Sequence, residues 1–206
     1  MPYVIRPRNL LARAGSLLGA VAALLGVLPA VAHAACASSP TSEVFAPFGD
    51  TAQYSLVPGG SFASGTPGWT LADASVVSGN GAGLVGGKSD SHSLAIQPTG
   101  EAISPPVCVS IDNPSFRFFA ERTSGTWGDI TVNLLWTDST GHANSTTVAS
   151  IGSGTSWTVT PILALASDLP LWQSGQTLSV RLEFLPQAYG GAWAIDDLYV
   201  DPYTRG

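Results

Sequence analysis

The chain has 206 residues and a formal net charge of −6, which argues against polyanionic partners. An acidic chain repels phosphate backbones and anionic lipid surfaces, and we find no basic stripe with interleaved aromatic residues. Nucleic acid is therefore not an expected partner.

The first 34 residues have the order of a secretory signal peptide. Three arginines precede an apolar run over residues 14–31, which glycines and a proline interrupt, and Ala32-His33-Ala34 ends it. This order predicts cleavage after Ala34 or Ala35 and no permanent membrane span afterwards.

Cys36, just after the predicted cleavage site, raises the alternative of a lipoprotein. A lipobox would have an aliphatic residue where His33 stands, so a cleaved leader is the main hypothesis. The predicted organisation is a signal peptide over residues 1–34 and a single domain over residues 35–206, secreted and extracellular or associated with the cell surface. Removal of the leader leaves five basic and fourteen acidic residues, a formal net charge of −9.

The two cysteines, Cys36 and Cys108, predict one disulfide, because the leader directs the chain to an oxidising compartment. Closure of a loop of about 70 residues contributes about 4 kcal/mol in the chain-entropy model. The alternative, a metal-binding or catalytic thiol, has no supporting Cys or His nearby in the sequence.

The predicted domain has a hydrophobic period of two, which indicates antiparallel strands. Apolar and polar residues alternate in residues 130–137 and 177–184, so each segment has a core face and an outward face. Further strands are expected at residues 93–97, 107–111, 116–121, 146–151, 157–160 and 193–200. Segments 79–90, 138–142 and 152–156 have the composition of loops. Residues 162–167 follow a proline and predict a turn or a single helical turn.

Three short motifs resemble the galactose-binding-like jelly-roll carbohydrate-binding modules. Residues 56–69 (LVPGGSFASGTPGW) are similar to the N-G-x-F-E-x-G run and following Trp of these modules. Residues 91–96 (SHSLAI) are similar to their S-L-x-I strand, and residues 192–200 (AWAIDDLYV) to their closing I-D-D strand. The resemblance implies an all-β, antiparallel β-sandwich with jelly-roll topology, and a non-catalytic domain that binds carbohydrate or glycan.

The resemblance also implies a structural Ca²⁺ between an N-terminal acid and the I-D-D segment, but Ala63 stands where these modules have Glu. Separately, the apolar positions of residues 193–200 are odd before Asp196 and even after Asp197. This strand therefore needs a bulge or must turn a carboxylate inward, and a buried carboxylate needs a partner such as Ca²⁺. Asp196 is the predicted ligand; in the alternative, both acids point to solvent.

A ligand-binding face is predicted if the strands that begin near residues 116 and 178 share one sheet. Mixed aromatic, charged and amide side chains suit sugars, because rings cover C–H faces while polar groups bind hydroxyls. The predicted ligand-binding residues are Arg117, Phe119, Glu121, Trp127, Asn133, Arg181 and Glu183, with Trp127 in a glycine-flanked loop at the rim. In the alternative, the charged members form cross-strand ion pairs on a solvated face.

The sequence contains no recognisable catalytic motif. Downstream of the leader only His92 and His142 remain, and neither H-E-x-x-H nor G-x-S-x-G occurs. An enzyme is not expected, although a glycoside hydrolase needs only two suitably spaced carboxylates. The main hypothesis is a glycan-binding domain, and the alternative is a structural or protein-interaction domain of the cell envelope or extracellular space without a sugar ligand.

Overall fold

The computed structural model describes residues 40–80, 85, 90–110, 115–152, 154–165, 169 and 177–201. All of them lie in one compact unit, Ala34–Gly206. The predicted leader and Cys36 lie outside the described residues. The signal peptide and the disulfide between Cys36 and Cys108 therefore stay predictions.

The described residues form eleven strands and one short 3-10 helix at Ala46–Phe48. The strands are β1 (Ser55–Leu56), β2 (Thr70–Ser78), β3 (His92–Ile103), β4 (Val107–Val109), β5 (Ser115–Arg122), β6 (Ile130–Thr137), β7 (Ala143–Ile151), β8 (Thr158–Val159), β9 (Leu163–Ala164), β10 (Leu178–Pro186) and β11 (Trp193–Val200). The all-β prediction is confirmed. We find no membrane-spanning helix in this part of the chain.

The strands form one curled antiparallel sheet with the hydrogen-bonded order β7-β6-β10-β3-β11-β5-β8. In addition, β1 pairs with β11, β2 with β3, β4 with β10 and β9 with β5. The expectation of a turn or a single helical turn at residues 162–167 is wrong at residues 163 and 164, which form β9 and pair with β5.

The long strand β3 connects the two halves of the curled sheet. Its first half pairs with β11 and its last two residues pair with β10. Between them lies Gly100, where an added Cβ would be 2.6 Å from the carbonyl oxygen of Asp73. On the partner strand β2, the register shifts at Asp73, which has a φ of 46°. This bulge and the close backbone approach permit the bend.

The main core lies between the halves of the curled sheet. The alternation predicted for β6 and β10 is observed, because their core faces are buried: Ile130, Val132, Leu134, Val180, Leu182 and Phe184. Phe118 of β5 packs edge-on against Phe184 with ring centroids 5.2 Å apart. Both halves of the sheet therefore contribute to one apolar interior.

A second, smaller core covers the opposite face of β5 and β11. The segment before β1 places Phe45 and Tyr54 against Phe119 and Tyr199, and all four are buried. The ring centroids of Phe45 and Tyr199 are 5.6 Å apart, with nearly perpendicular planes. Strand β11 is consequently buried along its whole length and on both faces.

A buried ion pair fixes this covering segment to the sheet. Nη1 of Arg117 lies 3.0 Å from Oδ2 of Asp50, and its Nε and Nη2 donate to the carbonyl oxygen of Thr160 at 3.0 and 2.7 Å. The guanidinium carbon also lies 4.8 Å from the centroid of the Phe45 ring. Burial alone would raise the pKa of Asp50, but hydrogen bonds from Ala52, Tyr54 and Arg117 and the charge of Arg117 hold it below its ordinary value.

We expect Asp50→Ala to lower the free energy of unfolding by about 3–5 kcal/mol at pH 7, because it leaves the Arg117 charge buried without its partner. The wild-type contribution is complete above the ordinary pKa of 3.8 and is lost as the pH falls through the lower folded-state pKa. Urea denaturation measures both effects. Glu43→Ala, an exposed change in the same segment, serves as the control and should stay within about 0.5 kcal/mol of wild type. A loss below about 1 kcal/mol in Asp50→Ala would contradict this account.

Candidate functional site

The seven predicted ligand-binding residues do not share one face. Strand β5 is separated from β10 by β3 and β11, and the outward side of β5 lies under the segment before β1. Arg117 is 6% exposed and Phe119 is fully buried, so the expectation that they face a ligand from an open sheet is corrected. Glu121, on the same side of β5, is half-buried, and its burial raises its pKa.

Three of the predicted residues are brought together on the other half of the sheet. On β6 and β10, Asn133 lies opposite Glu183, and Arg181 lies two residues before it on the same side. Nδ2 of Asn133 donates to Oε2 of Glu183 at 2.7 Å. From β7, Oγ1 of Thr147 donates to Oδ1 of Asn133 at 2.8 Å. A hydrogen-bonded row therefore crosses three neighbouring strands.

Glu101 of β3 extends this row and was not foreseen. A hydrogen bond with the Glu183 carboxyl raises the pKa of Glu101, and burial and the negative charge of Glu183 add to the rise. The strand predicted at residues 93–97 ended before the bend at Gly100. The sequence therefore did not indicate that Glu101 lies in a strand that pairs with β10. We name the outward side formed by Thr147, Asn133, Glu183, Arg181 and Glu101 the polar face.

Apolar side chains lie among the polar groups of this face. Leu135 is opposite Arg181, Leu185 is opposite Thr131, and Ile103 is opposite Glu183, and directly opposed residues project to the same side. All three apolar residues are half-buried. The polar face thus combines hydroxyl-binding groups with surfaces that can contact C–H groups.

Two exposed aromatic residues stand at the end of the sheet, on the loops before β6 and before β11. Trp127 is 52% exposed, as expected for a rim residue, and Tyr189 is 89% exposed. The backbone N–H of Gly191 donates to the carbonyl oxygen of Trp127 at 3.0 Å, which ties the loops together. Tyr189 was missed, although its sequence signal is a tyrosine followed by two glycines between two strands.

The expected irregularity of β11 is confirmed. The register against β5 shifts between Asp196 and Tyr199, and Asp197 has a φ of 51°. Asp196 is 0% exposed and Asp197 is 3% exposed, so the alternative in which both acids point to solvent is wrong. The change of parity along the strand is thus accommodated by burying two consecutive carboxylates.

A third buried carboxylate joins them from the segment before β3. Asp90, Asp196 and Asp197 each offer an oxygen within 4.8 Å of the others. Oδ1 of Asp90 accepts the backbone N–H of His92 at 3.3 Å, but its Oδ2 is buried and has no hydrogen-bond partner among the described residues. The resemblance implied an acid at the position of Ala63, but the third carboxylate is supplied by Asp90, in the segment before β3.

The donor set fits a hard divalent cation. Buried like charges repel one another, and carboxylate oxygens are the ligands that Ca²⁺ prefers. Tyr199 lies in the same negative field: burial raises its pKa to about 12, and the charges of Asp197, Asp196 and Asp90 add to the rise. Asp90, Asp196 and Asp197 would hold the ion, with the remaining ligands supplied by backbone oxygens or water.

No family model matches the chain, and no curated protein does. Among solved structures, the CBM22-1 xylan-binding domain of Paenibacillus barcinonensis Xyn10C is similar with a TM-score of 0.51 and 14% identity, over 71% of this chain and 93% of that domain. The CBM22-1–CBM22-2 tandem domain of the same protein has a TM-score of 0.53 and 14% identity, over 80% of this chain and 47% of the tandem. The chain therefore has the jelly-roll β-sandwich fold of carbohydrate-binding modules, as the resemblance implied.

We expect Ca²⁺ to raise the melting temperature of the protein, since it would neutralise the three carboxylates in the folded state only. At a concentration about 100-fold above Kd the gain is about 2.7 kcal/mol, or about 5–10 °C for a domain of this size. Differential scanning calorimetry with Ca²⁺ and with a chelator measures the shift. Asp196→Asn should reduce it, whereas Glu43→Gln should not. A melting temperature of the wild type that is unaffected by either addition would argue against the ion.

Glu101→Gln should stabilise the protein more at pH 7 than at pH 4. The raised pKa of Glu101 means that its favourable contribution is present at low pH and is lost as the pH rises through the folded-state pKa. The amide keeps a hydrogen-bond donor for Glu183 but adds no charge. Urea denaturation at both pH values measures the difference; an identical effect at the two pH values would contradict the coupling with Glu183.

Proposed function

We propose that this protein is an exported, non-catalytic domain that binds carbohydrate through the polar face. The observation that carries the proposal is the row of hydrogen bonds from Thr147 through Asn133 to Glu183, which fixes polar side chains on an outward sheet surface. Because the side chains are already ordered, a ligand does not have to immobilise them.

The donor and acceptor types in this row suit sugar hydroxyls. A hydroxyl both donates and accepts, a carboxylate accepts at two oxygens, an amide does both, and the guanidinium of Arg181 donates. Leu135 and Leu185 lie beside these groups and can contact the C–H face of a sugar ring. The arrangement therefore provides the polar and apolar contacts that a pyranose needs.

The dimensions of the polar face favour an oligosaccharide over a single sugar. Thr147, Asn133, Glu183 and Glu101 lie on four neighbouring strands, and a spacing of about 4.8 Å between strands gives a row about 14 Å long. One structural neighbour with a similar fold is a xylan-binding domain, and this supports a polysaccharide as the class of ligand.

The non-catalytic part of the proposal rests on the sequence, which has no recognisable catalytic motif downstream of the predicted leader. Export to the extracellular space rests on the predicted signal peptide over residues 1–34, and the expected partner is an extracellular glycan.

We expect the purified exported protein to bind xylan or a related oligosaccharide on a glycan array, and Glu183→Ala to weaken that binding at least about tenfold. A hydrogen bond with a charged group contributes about 1.5–3 kcal/mol, and its loss also frees Asn133 from its fixed position. Isothermal titration calorimetry measures the affinity.

Glu43→Ala, an exposed acid outside the polar face, is the matched control and should bind as wild type does. A blank array with a protein that melts normally would reject the proposal. That outcome would favour the alternative, an interaction domain of the cell envelope without a sugar ligand.

A further inference from the structure

Two acidic side chains stand next to each other on the polar face. Strands β3 and β10 are antiparallel and pair Ile103 with Glu183, so Glu101 lies diagonally across from Glu183 on the same outward side. Long side chains in diagonal positions reach each other, and these two carboxyl groups share a hydrogen bond. Both residues are half-buried. We name Glu101 and Glu183 the acid pair.

The cation of the polar face does not neutralise the acid pair. Arg181 is two residues from Glu183 along β10, but the antiparallel register places it on the other side of Glu183 from Glu101. In the part of the chain that the structure describes, the only ion pair of an arginine joins Arg117 and Asp50, so Arg181 bridges neither acid. Adjacent like charges on a sheet are destabilising. The face therefore keeps an uncompensated negative charge at one place.

The hydrogen-bonded row holds one member of the acid pair in position. Nδ2 of Asn133 donates to Oε2 of Glu183 at 2.7 Å, and Oγ1 of Thr147 donates to Oδ1 of Asn133 at 2.8 Å. Both donors are neutral, so they orient the carboxylate without cancelling its charge. Because the carboxylate is already oriented, a charged donor from a ligand does not have to order it.

Apolar side chains surround the acid pair. Ala72 of β2 lies directly opposite Glu101, and Ile103 lies opposite Glu183. The same register brings Leu185 next to Glu101. These neighbours offer the carboxyl groups no hydrogen-bond donor, and they lower the local dielectric, which strengthens the attraction for a cation. The patch thus combines a centre of negative charge with surfaces that can contact C–H groups.

A sugar with a protonated amine meets these requirements. An ammonium group donates three hydrogen bonds and carries the charge that the acid pair lacks, whereas a neutral hydroxyl leaves that charge uncompensated. We propose that the polar face selects glycans that contain an amino sugar with a free amine, which Glu101 and Glu183 bind together. This selectivity rests on the proposed function, because the same face binds the glycan.

The test compares three sugars that differ in one substituent. The probes are β-1,4-linked glucose tetrasaccharides with an amine, an acetamide or a hydroxyl at C2. They are titrated into the full exported protein by isothermal titration calorimetry at pH 6, where the amine is mostly protonated. Wild type should bind the amine form at least about tenfold more tightly than the hydroxyl form, and the acetamide form should show no such gain.

Glu101→Gln removes one charge of the acid pair and keeps the shape of the side chain. The variant should fold, because the amide still donates to Glu183, and its ratio of amine to hydroxyl affinity should fall to about threefold or less. Glu43→Gln removes the same charge from an exposed position outside the polar face and should keep the full ratio. An equal fall in both variants would mean that the net charge of the chain attracts the amine, and it would overturn the proposal.

Three other results would also overturn the selectivity. The first is equal affinity of wild type for the amine and hydroxyl forms. The second is a tetralysine peptide that binds as tightly as the amino sugar, which would assign the acid pair to a basic protein partner. The third is loss of the amine preference when Ca²⁺ is added, which would mean that the acid pair holds a metal ion.

The selectivity and the proposed function can fail separately. If xylan oligosaccharides bind and Glu183→Ala weakens them while wild type shows no preference for the amine, the selectivity is rejected and the polar face stands. If none of the sugars binds to a protein that melts normally, both proposals are rejected. An amine preference that Glu101→Gln removes and Glu43→Gln keeps would support both.

Discussion

The structure depends on the need to cover both faces of β11. All eight residues of this strand are buried, although a strand in a two-layer sandwich usually has one face on the core and one in solvent. The main core covers one face, and the segment with Phe45 and Tyr54 covers the other. The ion pair between Arg117 and Asp50 then serves this cover, because it fixes the segment to β5 at a point where apolar contacts alone would not define its position.

Burial on both faces also explains why Asp196 and Asp197 are enclosed. A bulge in an ordinary outer strand would turn one of two consecutive acids toward water, but here the second core and the segment before β3 close that side. Asp90 adds a third carboxylate, with an oxygen within 4.8 Å of oxygens of Asp196 and Asp197. The covering segment and the candidate cation site are therefore two consequences of one feature, and a bound ion would stabilise the bulge and its cover together.

The sequence predicts the features that depend on local periodicity. It misses those that depend on whether another segment of the chain packs over a strand. The core faces of β6 and β10 were predictable because each strand has one buried side. The same alternation correctly placed Arg117 and Phe119 on one side of β5, but it does not show that another segment packs on that side. β2 was missed because its mostly exposed residues, TLADASVVS, show no clear alternation. Trp127 was predictable because flanking glycines indicate a loop whatever the fold.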